Sequence, residues 1–335
     1  MNNIISLNKV EKETFFPGER YEKLEAAMAP CIAVNPDDVS EDSQWHEILK
    51  KNEPEVVLGA WATRGLPENC HESVPSLKYA CYVPGSIRKF VPRLAIENGL
   101  KVTNWGSSIS RTVSENALLL ILCCMRRVAH WQQEMHNNAG WKDRNTTTTQ
   151  SLFERRVGLH GFGLISQQLV PLLKPFTSEI YAFSPSVPDS VFEEAGVKRS
   201  NSLEELFSES DVIVELASLT DRNYKIVTEE ILRMMPDGAA FVNVGRGFVV
   251  DEEALARVAS EKEIQVGLDV YGVEPLPADS PFRGMSNVTL LPHLGGPTTD
   301  RRKDAGDLAL QYLKDFKETS EVKEAISLSV YDRST

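Results

Sequence analysis

The stretch VGLHGFGLISQQLV, residues 157–170, decides the fold of this chain. Its first part is an apolar run that predicts a buried strand, and its second part has the apolar spacing of a helix that begins near Ile165. Gly161, Phe162 and Gly163 join the two. Glycines let the backbone approach a pyrophosphate, and the amide groups at a helix N-terminus donate hydrogen bonds to it. The stretch therefore predicts the phosphate-binding turn of a dinucleotide-binding fold.

Apolar runs and helical patterns alternate on both sides of this turn. Six predicted strands with intervening helices are typical of a doubly wound parallel sheet, and they lie in RVGLHGF, EIYAF, DVIVEL, AAFVNV, IQVGLDV and VTLLP. Earlier in the chain, EVVLGAW, LKYACYV and LKVTNW indicate a further parallel α/β layer. Long helices are predicted from Val113 to Asn137 and from Arg301 to Lys317, and Ser202 with Glu205 fits a capping box.

These patterns predict an α/β protein with two Rossmann-like domains, each built on a doubly wound parallel sheet. A chain of 335 residues is long enough for two domains. Residues 109–297 are predicted to form the dinucleotide-binding domain. Residues 1–108 and 298–335 are predicted to form a discontinuous substrate domain, because the last helix follows the dinucleotide-binding unit and must pack elsewhere.

Composition narrows the partners and the cellular compartment. The formal net charge is −12, so no summed positive field attracts nucleic acid. The longest strongly apolar run, Ala117 to Met125, is too short to cross a bilayer, and the N-terminus has no signal pattern. The chain has five cysteines, an odd number, and none of them form a CxxC motif. Both facts argue against a disulfide framework and against a zinc site. We expect a cytoplasmic protein without nucleic acid, membrane or metal partners.

Three further segments follow the glycine turn in a fixed order: VNVGRGFVVDEEAL from Val242, GLDVYGVEPLP from Gly267 and LLPHLGGPTT from Leu290. Together they resemble the D-isomer-specific 2-hydroxyacid dehydrogenases, and the resemblance is weakest before about Leu77. It implies an oxidoreductase that transfers a hydride between NAD(P)H and the carbonyl of a small 2-keto acid. It also implies a homodimer, which the broad apolar face of the 113–137 helix favours.

The resemblance assigns catalytic roles to three residues. Arg246 would hold the substrate carboxylate and keto oxygen, His293 would donate and accept the proton, and Glu274 would pair with His293. Reduction of a keto acid requires an acid for the carbonyl oxygen and a fixed cation for the carboxylate, so these residue types suit the reaction. A carboxylate beside the imidazole favours its protonated form and fixes its orientation.

Cofactor contacts are predicted at the glycine turn, at the carboxyl ends of later strands and at one helix start. The resemblance assigns Asp269 to the nicotinamide carboxamide. The predicted cofactor-binding residues are Ser110, Gly161, Gly163, Leu164, Ile165, Ser184, Leu216, Ala217, Val244, Gly245, Arg246, Asp269, His293, Gly295 and Gly296. No special role is predicted for the other histidines, which are His46, His71, His130, His136 and His160.

Substrate contacts are predicted from the first domain and from Arg246. Val83, Gly85 and Ser86 align with a family loop whose amide groups bind the substrate carboxylate, although Pro84 within it has no N–H to donate. Trp61 near the pocket would favour an apolar or bulky substrate side chain, and a core role for it is equally compatible with the sequence. No residue pattern identifies the particular 2-hydroxy acid.

Three positions depart from the pattern and leave alternatives open. Leu164 replaces a polar or basic residue, Ser166 replaces the third glycine, and Ser184 stands where an acidic residue usually binds the adenosine ribose. NAD is expected and NADP is not excluded, while Arg199 is expected to be solvated surface. These departures raise an alternative function, an NAD(H)-sensing binding protein similar to the corepressors of this fold. Formate dehydrogenase is disfavoured because it usually has glutamine where Glu274 stands.

Overall fold

The computed structural model describes residues 2–143 and 148–332 and divides the chain into two compact units. Unit 1 comprises Met1–Ile109 and Pro297–Thr335, and unit 2 comprises Ser110–Gly296. Both divisions lie one residue from the domain boundaries proposed from the sequence. The roles of the two units as substrate and dinucleotide-binding domains are not decided by this division.

Both units consist of strands that alternate with helices. In the described residues the strands are β1 Asn3–Ser6, β2 Cys31–Val34, β3 Val56–Gly59, β4 Tyr79–Tyr82, β5 Lys101–Thr103, β6 Val157–His160, β7 Ile180–Phe183, β8 Lys198–Arg199, β9 Val212–Glu215, β10 Ala240–Asn243, β11 Gln265–Leu268 and β12 Val288–Leu290. The α-helices are α1 Lys9–Phe15, α2 Glu19–Met28, α3 Asp42–Asn52, α4 Cys70–Ser73, α5 Arg93–Glu97, α6 Ser110–Met125, α7 Val128–Asn137, α8 Leu164–Leu173, α9 Asp189–Ala195, α10 Leu203–Glu209, α11 Glu229–Arg233, α12 Glu252–Glu261, α13 Lys303–Thr319 and α14 Leu328–Tyr331. Three short 3₁₀ helices cover Pro36–Asp38, Gly106–Ile109 and Gly247–Val249.

Unit 1 is built on a five-stranded parallel sheet with strand order β2-β1-β3-β4-β5. Buried apolar side chains cover both faces of this sheet, as expected for a doubly wound unit. The C-terminal helix α13 packs against α1 and α2. The approach is so close that a Cβ atom at Gly306 would lie 1.9 Å from the carbonyl oxygen of Phe15.

Unit 2 is built on a seven-stranded parallel sheet with strand order β12-β11-β10-β9-β6-β7-β8. The strand order reverses between β6 and β9, which places the topological switch point at the carboxyl end of β6. The predicted α/β fold class is confirmed, and all six strands predicted for this unit are present. The seventh strand, β8, was not predicted because it has only two residues, both exposed.

Three local predictions were wrong or incomplete. The helix predicted from Val113 to Asn137 is two helices, because Arg127 adopts a left-handed conformation with φ of 54° between α6 and α7. Ser202 caps α10 as expected, but the Glu205 carboxylate accepts from Asn201, so only half of the capping box forms. Strands β1 and β2 were not predicted, although each has four residues as β6 and β7 do.

Among residues 2–143 and 148–332, one helical stretch, Gly106–Met125, is long and apolar enough by length and composition to cross a membrane. The core helix of a soluble protein passes the same test, and half of the apolar window is buried in the protein. Within unit 2, α6 packs against α8 and β10. Three apolar side chains are exposed: Leu119 on α6, Met135 on α7 and Trp141 after α7. The homodimer and the absence of membrane and nucleic acid partners stay predictions.

All five cysteines are free thiols. Burial raises the pKa of Cys70 and Cys81 to about 11, so both are protonated at neutral pH. The expected cytoplasmic location stays a prediction.

Candidate active site

His293 and Glu274 form a hydrogen-bonded pair at the carboxyl edge of the sheet in unit 2. The distance between His293 Nδ1 and Glu274 Oε2 is 2.7 Å. The side chains are 50% and 35% exposed, respectively, so the pair is open to small molecules. Glu274 lies in the loop after β11, and His293 lies in the loop after β12.

The Glu274 carboxylate is fixed from its other side as well. Its Oε1 accepts a hydrogen bond of 3.0 Å from the amide of Tyr271. The Tyr271 hydroxyl in turn donates to the carbonyl oxygen of Leu291 at 2.7 Å, two residues before His293. Burial raises the pKa of Tyr271 to about 12, which keeps its hydroxyl a donor at neutral pH. Tyr271 therefore connects the two loops that carry Glu274 and His293.

Asp269 holds the His293 loop through its backbone. Its two carboxylate oxygens accept hydrogen bonds of 2.7 Å each from the amides of Leu294 and Gly295. Asp269 is only 1% exposed, and this burial raises its pKa, while the two amide donors oppose the rise. His293 has a positive φ of 55°, a conformation that needs such support in a residue other than glycine. Asp269 is thus a positioning residue for His293, and its predicted contact with nicotinamide stays a prediction.

Arg246 lies after β10 on a loop that Asn243 organises. The Asn243 side chain accepts from the Gly245 amide at 3.0 Å and donates to the Arg246 carbonyl oxygen at 3.2 Å. Gly247 must be glycine, since a Cβ atom there would lie 2.0 Å from the backbone of Tyr271. Arg246 keeps exposed surface, but desolvation of its guanidinium lowers its pKa and the nearby charge of Glu274 opposes this. Arginine remains protonated despite such a shift.

The glycine turn has the shape that a dinucleotide needs. Gly161 has φ of 90°, and a Cβ atom there would lie 2.8 Å from the Ala217 backbone. Gly163 caps the ten-residue helix α8, and open space lies beside it. Ser166 replaces the third glycine without strain, because its hydroxyl donates to the Gly161 carbonyl oxygen at 2.7 Å. The turn therefore offers amide groups and room for a pyrophosphate.

Comparisons with known proteins identify the family of this chain. The model of the family "D-isomer specific 2-hydroxyacid dehydrogenase, NAD binding domain" matches residues 118–295, which is more than half of the chain. The chain belongs to this family. NAD(H) is accordingly the cofactor of unit 2 of this dehydrogenase.

Individual relatives share moderate identity with this dehydrogenase. A hydroxypyruvate reductase of Thermotoga maritima is 33% identical over 216 residues, which cover 63% of this chain and 68% of the relative. A D-3-phosphoglycerate dehydrogenase of Methanocaldococcus jannaschii is 29% identical over 269 residues. That match covers 80% of this chain but about half, 51%, of the longer relative. A phosphoglycerate oxidoreductase of Rhizobium etli has the same fold, with a TM-score of 0.78 and 23% identity over 97% of this chain and 98% of that one.

The remaining predicted cofactor-binding residues of this dehydrogenase belong to unit 2. Ser110 begins α6, and Leu164, Ile165, Ser184, Leu216, Ala217, Val244, Gly245, Gly295 and Gly296 follow the carboxyl ends of strands or begin α8. Arg199 is exposed, as predicted, but it also has partners near the end of β7. Its guanidinium donates to the carbonyl oxygens of Ser184 at 3.2 Å and Val187 at 2.9 Å and pairs with Asp189 at 2.7 Å. A cation therefore stands beside Ser184, which replaces the acidic residue that is usual in this fold.

The predicted substrate residues of unit 1 differ in exposure and in whether their amides are free to donate hydrogen bonds. Trp61 is 48% exposed, and its ring lies 4.7 Å from that of Phe15 and 5.2 Å from the Arg302 guanidinium. The Val83 amide already donates to the Gly59 carbonyl oxygen at 3.0 Å, so Val83 provides no free donor. The Gly85 and Ser86 amides donate to no acceptor among the described residues.

Sequence reasoning missed a second pair of a histidine and a glutamate, His160 and Glu215, which is buried. Nδ1 of His160 lies 2.5 Å from Glu215 Oε2, and the residues are 5% and 0% exposed. Burial disfavours the charged imidazole, but the charge and hydrogen bond of Glu215 outweigh it and raise the pKa of His160. The available signal was that a histidine and a glutamate end the apolar runs VGLH and VIVE. In residues 2–143 and 148–332 no cluster of three or more His, Cys, Asp or Glu could hold a metal ion.

Asp269→Asn tests how the His293 loop is held. Asparagine has one acceptor oxygen and presents an NH₂ group to the second amide donor, so we expect the loop to shift and the stability to fall by about 1–3 kcal/mol. Turnover falls with it, because His293 loses its support. Thermal unfolding and steady-state rates measure both effects, with the exposed Asp279→Asn as the matched control. Unchanged turnover in Asp269→Asn would contradict the positioning role.

Proposed function

We propose that this dehydrogenase interconverts a small 2-keto acid and the corresponding D-2-hydroxy acid with NAD(H). The observation that carries this proposal is the imidazole of His293, held by Glu274 at the sheet edge of an NAD-binding domain that also carries Arg246. The relative from Thermotoga maritima is a hydroxypyruvate reductase, which supports a short keto acid as the substrate class.

Proton transfer is assigned to one nitrogen of His293. Bound NADH supplies a hydride to the carbonyl carbon, so the carbonyl oxygen needs a proton. Since Nδ1 contacts Glu274, Nε2 is the nitrogen that can give this proton and can take it back in the oxidation direction. The Glu274 carboxylate orients the ring through the 2.7 Å contact at Nδ1.

Substrate orientation is assigned to Arg246. A guanidinium binds a carboxylate through two parallel hydrogen bonds, which fixes the face of the adjoining carbonyl. Only its Nη1 has a protein partner among the described residues, the Gly245 carbonyl oxygen at 2.7 Å. In unit 1, the amides of Gly85 and Ser86 have no acceptor among the described residues and Trp61 is exposed, and the substrate contacts of these residues stay predictions.

The preference between NAD and NADP is part of the proposal. Ser184 places no negative charge at the end of β7, and Arg199 donates to its carbonyl oxygen. A 2′-phosphate would therefore meet no repelling carboxylate at Ser184, although Asp189 already neutralises much of the Arg199 charge. We expect both reduced cofactors to be accepted.

A panel of 2-keto acids, assayed with NADH and with NADPH, tests this function. Consumption of reduced nicotinamide, followed by its absorbance, is expected with glyoxylate, hydroxypyruvate or a bulkier analogue. The product is then analysed on a chiral column and is expected to be the D isomer. Cofactor binding without turnover of any acid would contradict the proposal and favour a cofactor-sensing protein.

His293→Ala separates chemistry from cofactor binding. Loss of the general acid is expected to lower kcat by about 10²–10⁴-fold. The Kd for NADH, measured by fluorescence titration, should stay near the wild-type value. His46→Ala, in helix α3 of unit 1, is the matched control and should retain full activity. Equal loss of NADH binding and turnover would indicate a structural histidine instead.

Glu274→Gln tests the pairing with His293. Glutamine keeps the size of the side chain but has one acceptor oxygen, so it cannot accept both from the Tyr271 amide and at the ring of His293. We expect kcat for reduction to fall, because the ring loses a contact that orients it. Steady-state rates of the wild type and the variant measure this effect. An unchanged kcat would show that the carboxylate does not act on His293.

A further inference from the structure

A buried pair of charged side chains ends the two strands between which the sheet of unit 2 reverses its order. His160 and Glu215 are the last register pair of β6 and β9. In open α/β sheets, ligands bind in the crevice outside the carboxyl ends of the strands at this switch point. The pair therefore lies at the floor of the crevice where a dinucleotide is expected.

The pair also connects the two loops that border this crevice. The second oxygen of Glu215, Oε1, accepts from the Ala217 amide at 2.8 Å. The Leu216 amide donates to the His160 carbonyl oxygen at 2.9 Å, and Gly161 follows His160 directly. The glycine turn and the loop after β9 are thus fixed relative to each other at the imidazole.

One nitrogen of the His160 ring remains available to a ligand. Nδ1 contacts Glu215, whereas Nε2 has no hydrogen-bond partner among residues 2–143 and 148–332. Nε2 is also not among the fully buried side-chain atoms that lack a partner in those residues, so it keeps access to solvent. An imidazole that is 95% buried and has one open nitrogen beside a phosphate-binding turn is well placed to contact what binds there.

The neighbouring strand lacks the group that usually contacts the adenosine ribose. In dinucleotide-binding folds a carboxylate about 20 residues after the glycines binds a ribose hydroxyl. Here β7 ends at Phe183 and is followed by Ser184. The His160 ring stacks against Phe183, with 6.2 Å between the ring centroids and 27° between the planes. The imidazole thus stands one strand away from the missing carboxylate.

We propose that Nε2 of His160 hydrogen-bonds a ribose hydroxyl of the adenosine half of the cofactor, and that Glu215 is the positioning residue that orients the ring. A hydroxyl both donates and accepts, so it fits Nε2 with or without a proton. The inference depends on dinucleotide binding by unit 2 and is independent of the keto acid reaction.

Binding of AMP and its two deoxy analogues tests this contact without any turnover. Calorimetry is run with AMP, 2′-deoxy-AMP and 3′-deoxy-AMP on the wild type and on the double variant H160V/E215L. Replacing both partners by apolar side chains leaves no unpaired buried charge, although the Ala217 amide loses its acceptor, so we expect the variant to fold with reduced stability. We expect the wild type to prefer AMP over one deoxy analogue by about tenfold, the value of one good hydrogen bond. The double variant should bind all three ligands equally.

Control variants distinguish a direct contact between His160 and the ligand from an indirect effect of the substitutions on the structure. His46→Val, remote in sequence and in unit 1, should keep the preference for AMP, and thermal unfolding checks that the double variant is folded. Glu215→Gln keeps a hydrogen-bond partner for the ring and should weaken the preference without abolishing it. The proposal is overturned if the wild type shows no preference or if the double variant retains it.

If the double variant does not fold, the contact is tested on the wild type instead. Ring nitrogens of its six histidines are then followed by NMR during AMP titration. The expected result is a shift at the histidine whose Nδ1 contacts a carboxylate in the ligand-free protein and whose signals change in Glu215→Gln. No shift at that histidine rejects the contact.

Discussion

Two hydrogen bonds from backbone amides to the buried Asp269 carboxylate hold the part of the molecule on which the candidate site depends. They fix Leu294 and Gly295, and so the loop that carries His293. Parallel strands bring Arg246, Glu274 and His293 to one edge, but strand ends alone do not define a loop conformation with positive φ at a histidine. The Asp269 carboxylate is buried, and hydrogen bonds from amides to a carboxylate are stronger than those to a neutral acceptor.

The fold and the candidate residues of this site could be predicted because short, continuous segments of the sequence indicate both. The run VGLHGFGLIS contains strand, turn and helix within ten residues, and Arg246, Glu274 and His293 stand in recognisable segments. The predicted strands of unit 2 are present for the same reason, since each is an apolar run between polar helices. Strand length does not explain the misses at β1 and β2, which have four residues as β6 and β7 do, whereas β8 has only two residues, both exposed.

What could not be predicted depends on which side chains meet in three dimensions. Arg199 is exposed, as expected, but no sequence pattern indicates that its guanidinium reaches the carbonyl oxygens of the loop after β7. The Val83 amide was expected to be free, but the parallel pairing of β3 and β4 directs it to Gly59. The break at Arg127 depends on a single backbone conformation that no propensity scale indicates. Each outcome follows from partners distant along the chain or from one dihedral angle.

Burial of the His160–Glu215 pair has a free-energy cost that bears on its role. Removing an imidazole and a carboxylate from water is unfavourable, and buried ion pairs often stabilise no more than apolar pairs of similar volume. Glu215 also accepts from the buried Ala217 amide, so part of its role is structural. The open nitrogen of His160 has no such structural partner among the described residues. Its place at the switch point, beside the glycine turn and one strand from Ser184, accounts for it, because there it gains a hydroxyl partner when a nucleotide binds.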